Sequence, residues 1–263
     1  MNPWGSPFIE AHASYRRYIG GAAGSEVREA DGFHAVRTGV RSNGMNGATS
    51  TRFDPASATA LVSDTIDWFR ESNVPATWLC AEAADALGAV LIAAGCKAET
   101  AAWEMHARVT DLDLDGAPHE GAEVRRVLSD RELDGWLTVA ADCEWFDDEQ
   151  DKETAGRLYA ELVLEEHSPL RLYLALEHGL PVGMAEAFFT GSIVLLDSVA
   201  VRPFARRRGI GRSLALARLR EAHDRGCDVA VLAPSPDGAK LYEALGFERH
   251  ASPPGRWFYL PSS

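Results

Sequence analysis

The chain is short of cysteine. Its four, Cys80, Cys96, Cys143 and Cys227, are scattered through 263 residues with no CxxC pair. That spacing supports neither a zinc site nor a disulfide framework, so reduced thiols and a cytoplasmic location are expected. His106, His167, His178, His223 and His250 form no metal spacing, and no metal is expected. No apolar run reaches about 18 residues, which excludes a membrane-spanning helix. Met1-Asn2-Pro3-Trp4 lacks the basic-then-apolar order of a signal peptide. Positive charge is scarce too: 26 Lys and Arg stand against 39 Asp and Glu, a net charge of −13. A nucleic-acid partner needs a basic face, so none is expected. Acidic surfaces mostly serve solubility, and this one also suits a cationic amine.

Against that acidic background one basic run stands out, Arg202-Pro203-Phe204-Ala205-Arg206-Arg207-Arg208-Gly209-Ile210-Gly211-Arg212. The apolar stretch before it, Ser192 to Val201, reads as a strand, and Pro203 ends it because proline lacks an N–H. The segment after Gly209 and Gly211 is rich in Ala, Leu and Arg and reads as a helix to Arg225, stopped by Gly226. A helix opened by glycines exposes unpaired N–H groups and the positive end of a dipole, and arginines beside it add forked donors. This is a pyrophosphate cradle. A P-loop would need Lys-Ser/Thr after its last glycine, but Arg212-Ser213 follow Gly211. A dinucleotide fingerprint would need glycine at Leu214.

Arg206-x-x-Gly209-x-Gly211 after Val-Ala-Val-Arg-Pro closely resembles the acetyl-coenzyme A signature of the GNAT superfamily of N-acetyltransferases. Leu241-Tyr242-Glu243-Ala244-Leu245-Gly246-Phe247 resembles that family's last-helix motif. The remaining elements fit. Val124 to Leu128 reads as a strand, and Asp130 to Ala141 and Lys152 to Glu165 read as helices. Arg171 to Glu177 and Val182 to Thr190 form a hairpin. Asp228 to Ala233 is a strand, Ser235 to Leu245 a helix, and Glu248 to His250 with Trp257 to Leu260 close the sheet. The resemblance covers roughly residues 122–260 and implies an α/β chain, a mixed α+β sheet with the GNAT acyl-CoA N-acyltransferase fold.

The first half repeats the framework. Pro55 starts a helix capped by Asp54, Ala76 to Cys80 is a strand, and a second helix stops at Gly95. Ala102 to Val109 alternates as a strand, and Asp111 to Gly121 with Pro118 reads as a linker. Aligning the prolines places Arg206, Gly209 and Gly211 on Ala58, Leu61 and Ser63, and Tyr242 falls on Leu91. The expected domains are therefore 1–115, a degenerate GNAT-like half with no coenzyme site, and 122–263, the catalytic half. An unrelated α/β cap is the alternative.

What the resemblance implies for chemistry is specific. Acetyl-coenzyme A is the cosubstrate. Its pantetheine arm pairs with backbone groups of Val199, Ala200 and Val201. Its pyrophosphate meets Arg206, Arg207, Arg208, Gly209, Ile210, Gly211 and Arg212. Ser235 either touches the coenzyme or caps a helix. A backbone N–H near Val199 polarises the thioester oxygen, and Tyr242 either protonates the departing thiolate or packs in the core. Asp197 interrupts an apolar strand and is the first candidate base, Glu186 the second, and a water relay the third. Trp145-Phe146-Asp147-Asp148 lies where the family frames its acceptor, and on composition reads as a solvated loop. The expected acceptor is the primary amine of a small molecule, acetylated by direct attack in a ternary complex, by a monomer or homodimer. The rival reading is a non-catalytic acyl-coenzyme A sensor or partner-binding module.

Overall fold

Two mixed sheets organise the chain. The computed structural model describes residues 6–42, 44–52, 54, 56–81, 86–99, 104–116, 119, 121–250 and 255–262. They divide into two compact units, Met1–Trp103 with His250–Ser263, and Glu104–Arg249. No helix among the described residues is long and apolar enough to cross a membrane.

The first unit runs α1 (Pro7–Gly20), β1 (Glu26–Ala30), β2 (Phe33–Arg37), β3 (Gly47–Ser50), α2 (Ala58–Glu71), β4 (Ala76–Ala81), α3 (Leu87–Ala93) and β5 (Lys97–Ala98). It is completed by the last strand of the chain, β13 (Gly255–Leu260), giving the sheet order β1-β2-β3-β4-β13-β5. β3 and β4 are parallel and joined by α2, whose Val62, Ile66 and Phe69 bury against Trp78 and Phe258. α2 is regular from Ala58 after Ser57, later than expected; Asp54 Oδ1 accepts Ala56 N–H, and the Asp54 carbonyl accepts Ser57 N–H and Ala58 N–H. Pro55, Pro118 and the first residues of the strand expected at 102–109 lie outside the described residues.

The second unit runs β6 (Met105–Arg108), β7 (Ala122–Arg126), α4 (Asp130–Asp142), α5 (Glu149–Val163), β8 (Leu170–Glu177), β9 (Leu180–Thr190), β10 (Ile193–Val201), α6 (Ile210–Asp224), β11 (Val229–Leu232), α7 (Pro236–Glu243) and β12 (Glu248–Arg249). Its sheet order is β12-β6-β11-β10-β9-β8-β7. Ser129 and Glu132 cap the start of α4: Ser129 Oγ accepts Glu132 N–H, and Glu132 Oε2 accepts Leu128 N–H, one residue before the N-cap. Trp136 is fully buried and donates to the Ala185 carbonyl. α5 starts three residues before the expected Lys152, because Asp148 Oδ1 accepts Asp151 N–H and the acidic first turn suits the positive helix end. The acidic run read as a loop is thus partly a helix start. On the other face α6 lies close to β9 at Gly183, where a Cβ would stand 2.9 Å from Ile210 Cγ2.

Two strands belong elsewhere than the sequence order suggests. The strand expected in the first half, at 102–109, is β6, and it pairs antiparallel with β11, Met105 opposite Leu232. The stretch Trp257 to Leu260, expected to close the second sheet, pairs antiparallel with β4, Trp257 opposite Leu79. Each unit keeps its own short edge strand, β5 or β12, and takes its neighbouring strand from the other half of the chain. The correction has a simple cause. Alternation fixes which face of a strand is buried and carries no address for the sheet it joins.

Candidate active site

β10 pairs with β11 only from Ile193 to Leu195, opposite Val229 to Val231. It then continues to Val201 with no partner on that side among the described residues, so the two parallel strands part. On its other side a bulge between Asp197 and Ala200 breaks the register with β9. Ser198 sits in this bulge at φ +53°, a left-handed conformation that a non-glycine residue adopts only when its surroundings enforce it. Val199, Ala200 and Val201 form the partnerless stretch. The Val201 carbonyl, however, already accepts from Arg206 Nε at 2.9 Å.

Beyond a short 3-10 turn at Pro203–Ala205, the chain enters α6 through Arg207 at φ +63° and Gly209 at φ +85°. Gly209 is the N-cap, and no side chain caps the helix. The left-handed turn explains Gly209. Packing does not explain Gly211: a Cβ there would meet nothing nearer than Leu241 Cδ2 at 3.8 Å. Ile210 is buried beneath the cradle and holds the helix to the sheet.

The arginines divide. Arg206 and Arg207 are exposed at the cradle. Arg208 pairs with Glu177 at 2.9 Å, and Glu177 also faces His119 at 3.4 Å. Arg212 lies against Gly116, and His119 N–H donates to Ser213 Oγ, so these two residues of the segment expected to be a linker lie alongside the start of α6. Arg202 turns away to Asp142 and to the Pro181 carbonyl. Ser235 Oγ accepts Gly238 N–H at 3.2 Å, which makes it the N-cap of α7.

Tyr242, Glu186 and Asp197 meet around a residue that sequence reasoning missed, Arg218. Its guanidinium is fully buried and donates to Tyr242 Oη at 3.0 Å, to the Glu186 carbonyl at 2.9 Å, to the Asp197 carbonyl at 3.2 Å and to the Leu214 carbonyl at 3.1 Å. Tyr242 is 6% exposed and stacks edge-on with Phe247. Because its oxygen accepts from Arg218, its own proton is free to point elsewhere. The signal for Arg218 was in the sequence: Leu214, Arg218 and Ala222 repeat at four-residue spacing on the buried face of α6.

The two carboxyls project from the other face of the sheet. Glu186 and Asp197 are register partners. Glu186 is fully buried, and its Oε2 accepts from Tyr159 Oη of α5 at 2.9 Å. Asp197 Oδ1 accepts Ser198 N–H at 2.8 Å. Cys143, at the end of α4, has its thiol pushed up by burial against the opposing hydrogen bond from Arg206, so it is held as a neutral thiol. Trp145 packs edge-on against Trp136 rather than standing in solvent. No group of three or more His, Cys, Asp or Glu able to hold a metal occurs among the described residues.

Residues 132–247 match the family model described as Acetyltransferase (GNAT) family. A mycothiol acetyltransferase of Pseudarthrobacter chlorophenolicus is 25% identical over 167 residues, which cover 56% of this chain and 49% of that protein. The match thus spans about half the length of that relative. Among solved structures, a GCN5-related N-acetyltransferase from Kribbella flavida superposes with TM-score 0.69 at 18% identity, over 97% of this chain and 95% of that one. A tandem GNAT protein from the clavulanic acid biosynthesis pathway gives TM-score 0.56 at 14% identity, over 97% and 95%. The fold is therefore that of the GNAT acyltransferases, in tandem.

Proposed function

We propose, from the premise that residues 132–247 belong to the GNAT acetyltransferase family, that the chain is an acetyl-coenzyme A-dependent N-acetyltransferase. It moves an acetyl group to the primary amine of a small molecule by direct attack in a ternary complex. The observation that carries this reading is the partnerless end of β10 beside a glycine-led, uncapped helix N-terminus. The residues fit the coenzyme. Val199 and Val201 offer strand-edge backbone to its pantetheine arm, as an added strand would use it. The N–H groups from Gly209 to Arg212 and the side chains of Arg206 and Arg207 would receive its pyrophosphate. Gly211, which packing does not require, leaves that approach open. Bound there, the coenzyme supplies the acetyl group as a thioester.

The chain's own residues do the rest. Asp197 is the first base for the ammonium that must lose its proton before it attacks, and Glu186 is the second. Tyr242, held by Arg218, is the proton donor for the departing thiolate. No cysteine stands at a motif position, so no acyl-enzyme step is proposed and the attack is direct. The first unit is a GNAT-like half without a coenzyme site: among the described residues β3 is paired with β4 along its whole length, and Ala58, Leu61 and Ser63 replace the cradle residues.

Calorimetric titration with acetyl-coenzyme A tests this. One site per chain is expected, abolished by Gly209→Asp with Gly211→Asp. No binding would overturn the proposal, and two sites would overturn the reading of the first unit. Tyr242→Phe should keep coenzyme affinity and lose turnover. Unchanged turnover would refute its role.

A further inference from the structure

The face of the second sheet turned away from α6 carries three carboxyls in one row. Glu186 and Asp197 are partners on β9 and β10. The third is Glu104, the residue before Met105 on β6. Met105 pairs with Leu232, so the same register carried one residue further sets Glu104 beside Ala233. Leu195 pairs with Val231, and that register carried two residues further sets Asp197 in the same row, where the strands part. Adjacent strands lie about 4.8 Å apart, so Glu104 and Asp197, with the strand line of β11 between them, stand two strand spacings apart, about 10 Å or somewhat more where the strands part. Met105 and Ala107 belong to the core against α6. Alternation therefore turns Glu104 to the opposite face, where Glu186 and Asp197 also project.

The three carboxyls are not equivalent. Glu186 accepts from Tyr159 and Asp197 from Ser198 N–H. Glu104 is 1% exposed, and neither of its oxygens has a hydrogen-bond partner among the described residues. Buried carboxyls without partners are rare because nothing repays their lost hydration. Burial alone pushes this one up to about 8, with no charged neighbour contributing.

We propose that Glu104 is a second cation subsite of the acceptor site, so that the acceptor is a diamine-class molecule: one amine reacts beside Asp197 and Glu186 while a second ammonium rests on Glu104. The inference builds on the acetyltransferase reading. An ammonium brings three donors to two unpartnered oxygens. On binding, the Glu104 carboxyl releases its proton to solvent and pairs as the carboxylate. A monoamine leaves Glu104 as it was. A site made to pair a polar group discriminates strongly against the analogue that lacks it. The row's span selects amines separated by a chain of several methylenes.

The test compares heptamethylenediamine with heptylamine, by calorimetric titration of coenzyme A-loaded protein and by thiol release with acetyl-coenzyme A. The wild type should bind the diamine about tenfold to a hundredfold more tightly, the range of one charge-assisted contact. Glu104→Gln should collapse that preference toward unity, and Glu104→Asp should keep part of it. Equal affinities in the wild type, or a preference untouched by Glu104→Gln, would overturn the subsite. An equal loss on both amines in Glu104→Gln would overturn it too, since Glu104 would then serve the reaction rather than the second cation. A diamine preference without thiol release would leave the subsite standing and overturn the acetyltransferase reading.

Discussion

Replacing Glu104 by Gln should flatten the dependence of stability on pH. The Glu104 carboxyl ionises at an ordinary 4.5 in the unfolded chain and is pushed up to about 8 in the folded one. The folded state then holds one more proton than the unfolded state between those values. Stability is complete below pH 4.5 and is lost as pH rises toward 8. At 1.36 kcal/mol per pH unit, the stretch from pH 5 to pH 8 removes on the order of a few kcal/mol from the wild type. Gln keeps the shape and does not titrate. For a unit of this size that difference corresponds to roughly 10 °C in melting temperature. Urea or thermal unfolding of both proteins from pH 5 to pH 8.5 isolates the effect as a difference curve, because every other titrating group is shared. The curve should rise in favour of Gln as pH increases. Parallel profiles would refute the reasoning, since they would mean that Glu104 is hydrated or paired in the folded protein.

Other outcomes follow from the same structure. His12 is buried against Phe8 and Trp257 and lowered to about 3 by burial and then by Arg16. Its contribution is present above about pH 6.5 and is lost as pH falls toward 3, so His12→Gln should flatten the acid limb of the unfolding profile. Arg218→Met should lower kcat about a hundredfold and should add little to Tyr242→Phe, because both act through one hydrogen bond; additive losses in a double-mutant cycle would contradict this. A fragment of residues 122–263 should fail to give cooperative unfolding, because it lacks β6 and carries β13 without its sheet. A fragment of residues 104–249 should fold, as circular dichroism and thermal melts would show.

The elements around the cradle were legible because local chemistry makes them. Pro203, Gly209 and the apolar period of α6 act within a few residues, and the hairpin at His178 and Gly179 needs only two positive-φ positions. β1 was missed because Glu26-Val27-Arg28-Glu29-Ala30 is almost wholly exposed and has no apolar alternation to read. Asp148 looked like part of a solvated acidic run, although the same composition is what a helix start prefers. Glu104 and Arg218 were illegible for a different reason. A charged residue signals function only once its burial is known, and burial belongs to the fold. The parting of β10 from β11 was available only through the family resemblance. Nothing in Leu195-Leu196-Asp197 itself says where pairing stops.

The exchange of β6 and β13 has a consequence for how the chain is made. A ribosome releases the first half of the protein long before Gly255–Leu260, the strand that fits between β4 and β5, has been translated. At ordinary elongation rates the wait is roughly 10–30 s, during which the edge of β4 has no partner and Trp78, Phe69 and Leu91 lack the Phe258 that packs with them. For that interval the nascent chain displays an unpaired, apolar strand edge, the kind of surface on which chains aggregate and chaperones act. The second unit, whose sequence ends at Arg249, has all of its strands before that moment, so the half that is begun first is the half that is finished last, when the final strand arrives.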